Sequence, residues 1–132
     1  MAFPVVLPDI EALLVAYLNS ELATRPELYA SGVHVSTLLP DPRPDRAVTV
    51  RDDGGGRPGD VRGHCQVGVN VWGASDGEAM DLGNLVSALI VGCVGHGPVR
   101  EATATRPMRI LDESGQPRVY LTAQLTVRGT SL

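Results

Sequence analysis

VRGHCQVGVNVWGASDGEAMDLGNLVSALIVG, Val61–Gly92, changes its hydrophobic period once. Up to Trp72 the period is two: Val61, Cys65, Val67, Val69 and Val71 share one side, and Arg62, His64, Gln66, Asn70 and Trp72 the other. That alternation is the signature of a half-buried strand. SDGE then has the form of a capping box, in which Ser75 accepts from the Glu78 amide and Glu78 reaches back to Ser75. Leu82, Leu85, Val86, Leu89, Ile90 and Cys93 follow at helical spacing, and Gly95 and Gly97 are expected to end the helix. Such a stripe should lie against a sheet.

The same two periods recur on either side. From Asp9, the residues Ile10, Leu13, Leu14, Tyr17, Leu18 and Leu22 predict a helix to about Thr24, before the breaker Pro26. GVHVSTLLP is a short β-rich run, closed by PDPRPDR, whose prolines remove amide donors and exclude a central strand. RAVTVR reads as a further strand. At the other end, VREATATRPMRIL, a turn at DESGQP and RVYLTAQLTVRG read as a hairpin. In its last strand Val119, Leu121, Ala123, Leu125 and Val127 alternate with Tyr120, Thr122, Gln124, Thr126 and Arg128. The order α-β-β-β-α-β-β predicts an α+β fold, a mainly antiparallel sheet with two helices packed on one face.

The 132 residues suit one domain, 1–132, with extended loops at 40–46 and 51–62. A hydrophobic fraction of 43% with only 4% aromatic residues calls for an aliphatic core. All eleven cations are arginine, yet the formal charge is -4, which disfavours stable nucleic-acid binding while leaving transient passage open. No apolar run approaches a membrane span, and MAFPVVLPDIEALL lacks the basic region and cleavage site of a signal peptide. A soluble intracellular product is expected.

The decapeptide RDDGGGRPGD, Arg51–Asp60, invites a chemical reading, but it runs into a strand and lacks the Lys and helix start of a phosphate loop. Asp52, Asp53 and Asp60 do not match a calcium loop either. A solvated hairpin tip is the reading that remains. His64 and Cys65 are strand neighbours and point to opposite faces, so they cannot form an activated pair. Both Cys65 and Cys93 read as buried thiols. His96 in GHGP reads as a turn residue and His34 as a surface residue. No zinc spacing, nucleophile elbow or paired catalytic carboxylates are visible, so no catalytic, cofactor or metal residue is assigned. Trp72 is open to two roles, an interface anchor or a residue packed under a local loop. The polar face of the last strand is likewise either wet or covered by a second subunit.

Taken together, DIEALLVAYL, CQVGVNVWG, SDGEAMDLGNLVSALIVGCVG and RVYLTAQLTVRG, in that order, resemble the tail-terminator proteins of long-tailed bacteriophages. The resemblance implies a non-enzymatic virion subunit without a cofactor, forming a ring, usually a homohexamer, that stops tail-tube polymerisation. Its implied partners are further copies of itself, the tail tube protein and the head-tail connector or head-closure protein, with DNA passing through the lumen unbound and no membrane involved. Its implied place is the tail-neck junction of a virion assembled in the bacterial cytoplasm. Asp52, Asp53, Arg57, Arg62, Trp72, Thr122, Gln124 and Arg128 are the candidate assembly residues, the first three for contacts that order on assembly. Another neck component, a head-closure or tail-completion protein, is the near alternative. A small ligand-binding or catalytic α+β domain is the alternative of another class, and it requires Cys65, His96 and the glycine-rich loop to converge on a pocket.

Overall fold

A computed structural model describes residues 3–59 and 61–132. In chain order the elements are β1 (Val5–Val6), α1 (Ile10–Ala23), a single helical turn at Leu28–Ala30, β2 (His34–Ser36), β3 (Ala47–Gly54), β4 (Arg62–Trp72), α2 (Asp76–Val91), β5 (Val99–Ala104), β6 (Met108–Arg109), β7 (Arg118–Arg128) and β8 (Thr130–Ser131). The main sheet has the order β2-β3-β4-β7-β5, with β6 also on β7. Only β2 and β3 run parallel; every other pairing is antiparallel. The expected α+β fold is therefore present, and the seven expected elements occur in the expected order.

The alternation in β4 and β7 decides the packing. Arg62–Trp72 pairs along its whole length with Arg118–Arg128, Val69 opposite Leu121 and Val71 opposite Val119. Because neighbouring residues point to opposite faces, this register gathers Val67, Val69, Val71, Leu121, Ala123 and Leu125 on one side, all buried. Ile10, Leu14, Leu18 and Leu22 of α1 join Leu82, Val86 and Ile90 of α2 in the same core. Both helices thus cover one face. Val61 is the exception to its predicted side: it precedes β4 and stands exposed, because the chain is still turning there.

The caps explain where the helices begin. Asp9 accepts from the Ala12 amide at 3.1 Å, and Ser75 accepts from the Glu78 amide at 3.1 Å. Glu78 reaches one residue further back than a standard capping box: its Oε2 takes the Ala74 amide, and its Oε1 takes Arg46 Nε at 2.8 Å. The cap therefore also ties α2 to the start of β3. Replacing Ser75 by alanine leaves Glu78 N–H without its acceptor and should cost about 1 kcal/mol, read as a lower urea midpoint at unchanged slope. The helix ends at Gly92, earlier than the predicted Gly95 and Gly97, which instead shape the following turn at φ +88° and +53°.

The hairpin between β3 and β4 is tighter than the 51–62 loop read from sequence. Strand pairing continues through Gly54, opposite Gln66, and Gly56 exchanges two backbone hydrogen bonds with His64. Gly55 sits at φ +148°, with a Cβ there only 1.8 Å from His64 O, so this turn requires glycine. The strand expected over VREATATRPMRIL is interrupted at 105–107 into β5 and β6, which pair with successive stretches of β7. Two short strands were not foreseen: β1 and β8 pair the two terminal segments with each other.

Candidate assembly surface

The sheet face away from the helices is a continuous polar surface built by the even-numbered residues of β4 and β7. His64 Nδ1 lies 3.1 Å from Thr126 Oγ1, in the register row that continues to Glu101. The next row sets Gln66 beside Gln124 and Thr103. Further along, Gly68 leaves room for the Tyr120 hydroxyl: a Cβ there would stand 2.8 Å from it and 2.9 Å from Asp53 Oδ2. Asn70 Oδ1 accepts twice from Arg118, at 2.9 and 2.6 Å. Among the described residues no buried side-chain nitrogen or oxygen lacks a partner.

At the far end of this face, the segment 110–117 folds over Trp72. The indole is only 6% exposed; its Nε1–H donates to Asp112 Oδ1 at 3.2 Å, and the Arg118 guanidinium stands 5.5 Å from its ring centre. Trp72 is thus packed under a loop of its own chain. Asp112 also takes Arg43 Nη1 at 2.7 Å and the Ser114 amide at 3.1 Å. Burial pushes its carboxyl up, but the Ser114 hydroxyl and amide, the Trp72 indole and Arg43 together hold it well below the ordinary carboxylate range. Gln116 Nε2 donates to the carbonyls of Pro44 and Asp45 at 3.1 and 3.2 Å. The 40–46 loop is therefore bound to its own chain.

The remaining candidates are placed as follows. The Asp52 amide donates to Glu11 Oε2, and its own Oδ1 caps Gly54 N, both at 2.8 Å. Asp53 pairs with Arg51 at 2.5 Å, and Arg57 Nη2 donates to the Val5 carbonyl at 2.6 Å. Arg62 and Arg128 are exposed and directly opposite each other in the register. Thr122 and Gln124 lie in the middle of the same face, with the Thr122 amide bonded to Thr105 Oγ1 at 2.9 Å. Asp60 lies outside the described residues.

Of the groups a catalytic reading needs, Cys65 and the glycine-rich turn share a cleft and His96 lies elsewhere. Cys65 is half-buried and Cys93 buried, both free thiols, and burial pushes both thiols up, away from the reactive thiolate. His96 packs its ring 4.9 Å from that of Tyr17, whose hydroxyl donates to Leu89 O at 2.7 Å. A cleft of about 350 Å3 holds Gly55, His64, Cys65 and Glu101, but His96 is not part of it. Among the described residues no three His, Cys, Asp or Glu side chains are grouped to hold a metal ion, and no helix is long and apolar enough to cross a membrane.

Fold and surface together define a small two-layer α+β domain whose open sheet face is polar, with its buried side-chain polar atoms partnered among the described residues. No protein-family model matches the chain, and no curated protein matches it. Among solved structures it is similar to a chain from the virion of a native gene transfer agent (GTA) particle. The TM-score is 0.61 at 18% sequence identity, over 92% of this chain and 98% of that one. The likeness is one of fold, and it extends over nearly the whole of both chains.

Proposed function

We propose that this chain is a virion structural subunit of the tail-terminator kind: a ring that caps the tail tube, ends its polymerisation and joins the tail to the head connector. The observation that carries the reading is the fold likeness to a GTA virion chain, which runs over 92% of this chain and 98% of that one. The order of motifs in the sequence supports the same reading. So does the place of His96, which lies outside the cleft that Cys65 and the glycine-rich turn share, since the competing enzyme needs all three in one pocket.

In this reading the protein works by geometry and requires no catalytic group or cofactor. Copies meet through two different patches and close by rotation, as six if the ring is that of the tail terminators the sequence resembles. The net charge of -4 lets DNA pass without holding its phosphates. Adding the purified protein to elongating tail tubes tests the reading directly. Elongation should stop, with rings seen at one tube end by electron microscopy. Tubes that keep growing at an undiminished rate with saturating protein would count against it.

A further inference from the structure

Trp72 is buried without belonging to the core. It ends β4 on the sheet face that the helices leave open, between Ala47 of β3 and Arg118 of β7. It is not one of the residues of the hydrophobic cluster under α1 and α2. An indole at the end of an open face meets water unless something covers it. Here the cover is the segment 110–117, which the 40–46 loop in turn holds.

That cover buries little of its own. Leu111 is 97% exposed, Glu113, Ser114 and Gly115 are exposed, and no residue of 110–117 joins the core cluster. Its anchors are polar: Asp112 takes the Trp72 indole, Arg43 and Arg118, Arg43 also reaches Ser114 Oγ at 3.1 Å, and Gln116 reaches the Pro44 and Asp45 carbonyls. The segment stands clear of the body on both flanks. A hollow of about 360 Å3 lies against Leu111, Gln116 and Asp76, and one of about 350 Å3 against Arg43, Gly73 and Pro117. Segments with few buried apolar contacts and solvent-facing hydrogen bonds open well below the free energy of global unfolding. The hinges lie at its ends, where Ile110 N–H meets Arg118 O at 3.1 Å and Gly73 N–H meets Pro117 O at 3.2 Å; between them Gly115 turns the chain at φ +80°.

Lifting the cover breaks the bonds of Asp112 and Gln116 but leaves Arg118 in place. Asn70 Oδ1 takes its Nε and Nη2 at 2.9 and 2.6 Å, a contact made between β4 and β7 and independent of the segment. The guanidinium 5.5 Å from the indole centre therefore stays beside it. What is uncovered is an ordered Trp–Arg pair, and these residue types are enriched among the side chains that dominate interface energy. Asp112 is the one ion-pair partner of Arg43 and Arg118 among the described residues. A surface that replaces the cover must then supply a carboxylate as well as a recess for the ring.

We infer that 110–117 is a strap that closes over Trp72 in the free subunit and lifts on assembly, handing Trp72 and Arg118 to a neighbouring protein that presents a carboxylate beside an apolar recess. The use in assembly rests on the terminator reading above, whereas the separately opening strap does not. A partner shifts the strap only by its preference for the open form. A surface without the acid leaves Arg43 and Arg118 without counter-charge and does not displace Asp112.

Exchange of the indole N–H, a single signal because the chain has one tryptophan, tests the strap in the free wild-type protein by NMR. It should exchange roughly a hundredfold faster than the amides of Val69 and Leu121, at a rate insensitive to low urea, as local opening requires. Gln116→Ala should speed it roughly tenfold more and leave those core amides unchanged. An indole that exchanges in step with Val69 and Leu121 overturns the strap. Its use in assembly is tested by locking it. In a Cys65→Ser/Cys93→Ala background, Arg43→Cys and Ser114→Cys joined by a short bismaleimide hold the strap down, and the same thiols blocked with N-ethylmaleimide leave it free. With both forms folded by circular dichroism, the locked one should stop elongating tail tubes roughly tenfold less well. Equal action of the two overturns the role in assembly and leaves the terminator reading standing. A wild type without action on tubes removes that reading, and the indole exchange then upholds or overturns the strap by itself.

Discussion

Leu121→Ala is expected to lower the free energy of unfolding by about 3 to 4 kcal/mol. Leu121 has 0% exposure in the middle of β7, opposite Val69, on the face covered by α2. Truncation removes three buried carbons and leaves a void that the two-layer core cannot readily collapse. The strands on both sides are held in register by the sheet, and the helix above is fixed by its cap to Arg46. The core has few aromatic residues to swing into the gap, since they make up 4% of the sequence. Against a typical domain stability of about 5 to 15 kcal/mol, such a loss is a large share. Urea titration should show a much lower midpoint at an unchanged slope. A loss below about 1 kcal/mol would mean that the β7 face is not the packed centre described.

Asp112→Ala is the second large effect, at about 2 to 3 kcal/mol, because it removes one acceptor that several donors share. The side chain of Asp112 is only 6% exposed. Without it the Trp72 indole N–H is buried with no partner, Arg43 and Arg118 lose their counter-charge, and the 110–117 segment loses its anchor. The single tryptophan makes the result visible: its emission should shift to longer wavelength as water reaches the ring. The pH dependence has a definite sign. The folded carboxyl is held below its ordinary value, so the unfolded chain binds the proton more readily. The contribution is complete above about pH 4 and drains as the pH falls further. Asp112→Asn keeps an acceptor oxygen but cannot titrate. Its stability should therefore fall less steeply than wild type in acid. Parallel acid limbs would show that the network adds no charge-dependent stability.

What was legible in the sequence is what periodicity and capping write locally. Val67, Val69 and Val71 alternate because β4 is buried on one face, and the Ser75 cap fixes where α2 begins. What was hidden depends on residues distant along the chain. Nothing near Trp72 indicates that Asp112, forty positions on, will cover it. β1 and β8 are two residues each and gain meaning only when the two ends of the chain meet. Gly55 and Gly56 looked like part of a loose tip, yet their pairing with His64 shortens the turn. The candidate list behaved in the same way. Arg62 and Arg128 could be placed on a polar face from alternation, but their direct opposition required the register. Leu111, nearly fully exposed, and Val61 gave no signal except that each is an apolar residue at an element's edge.

The tail-terminator reading is tested most directly by electron microscopy of particles made without this protein, with tail lengths measured. The reading predicts overlong, uncapped tubes and filled heads without tails, both corrected when the gene is supplied again. Tails of normal length joined to heads in its absence would contradict it.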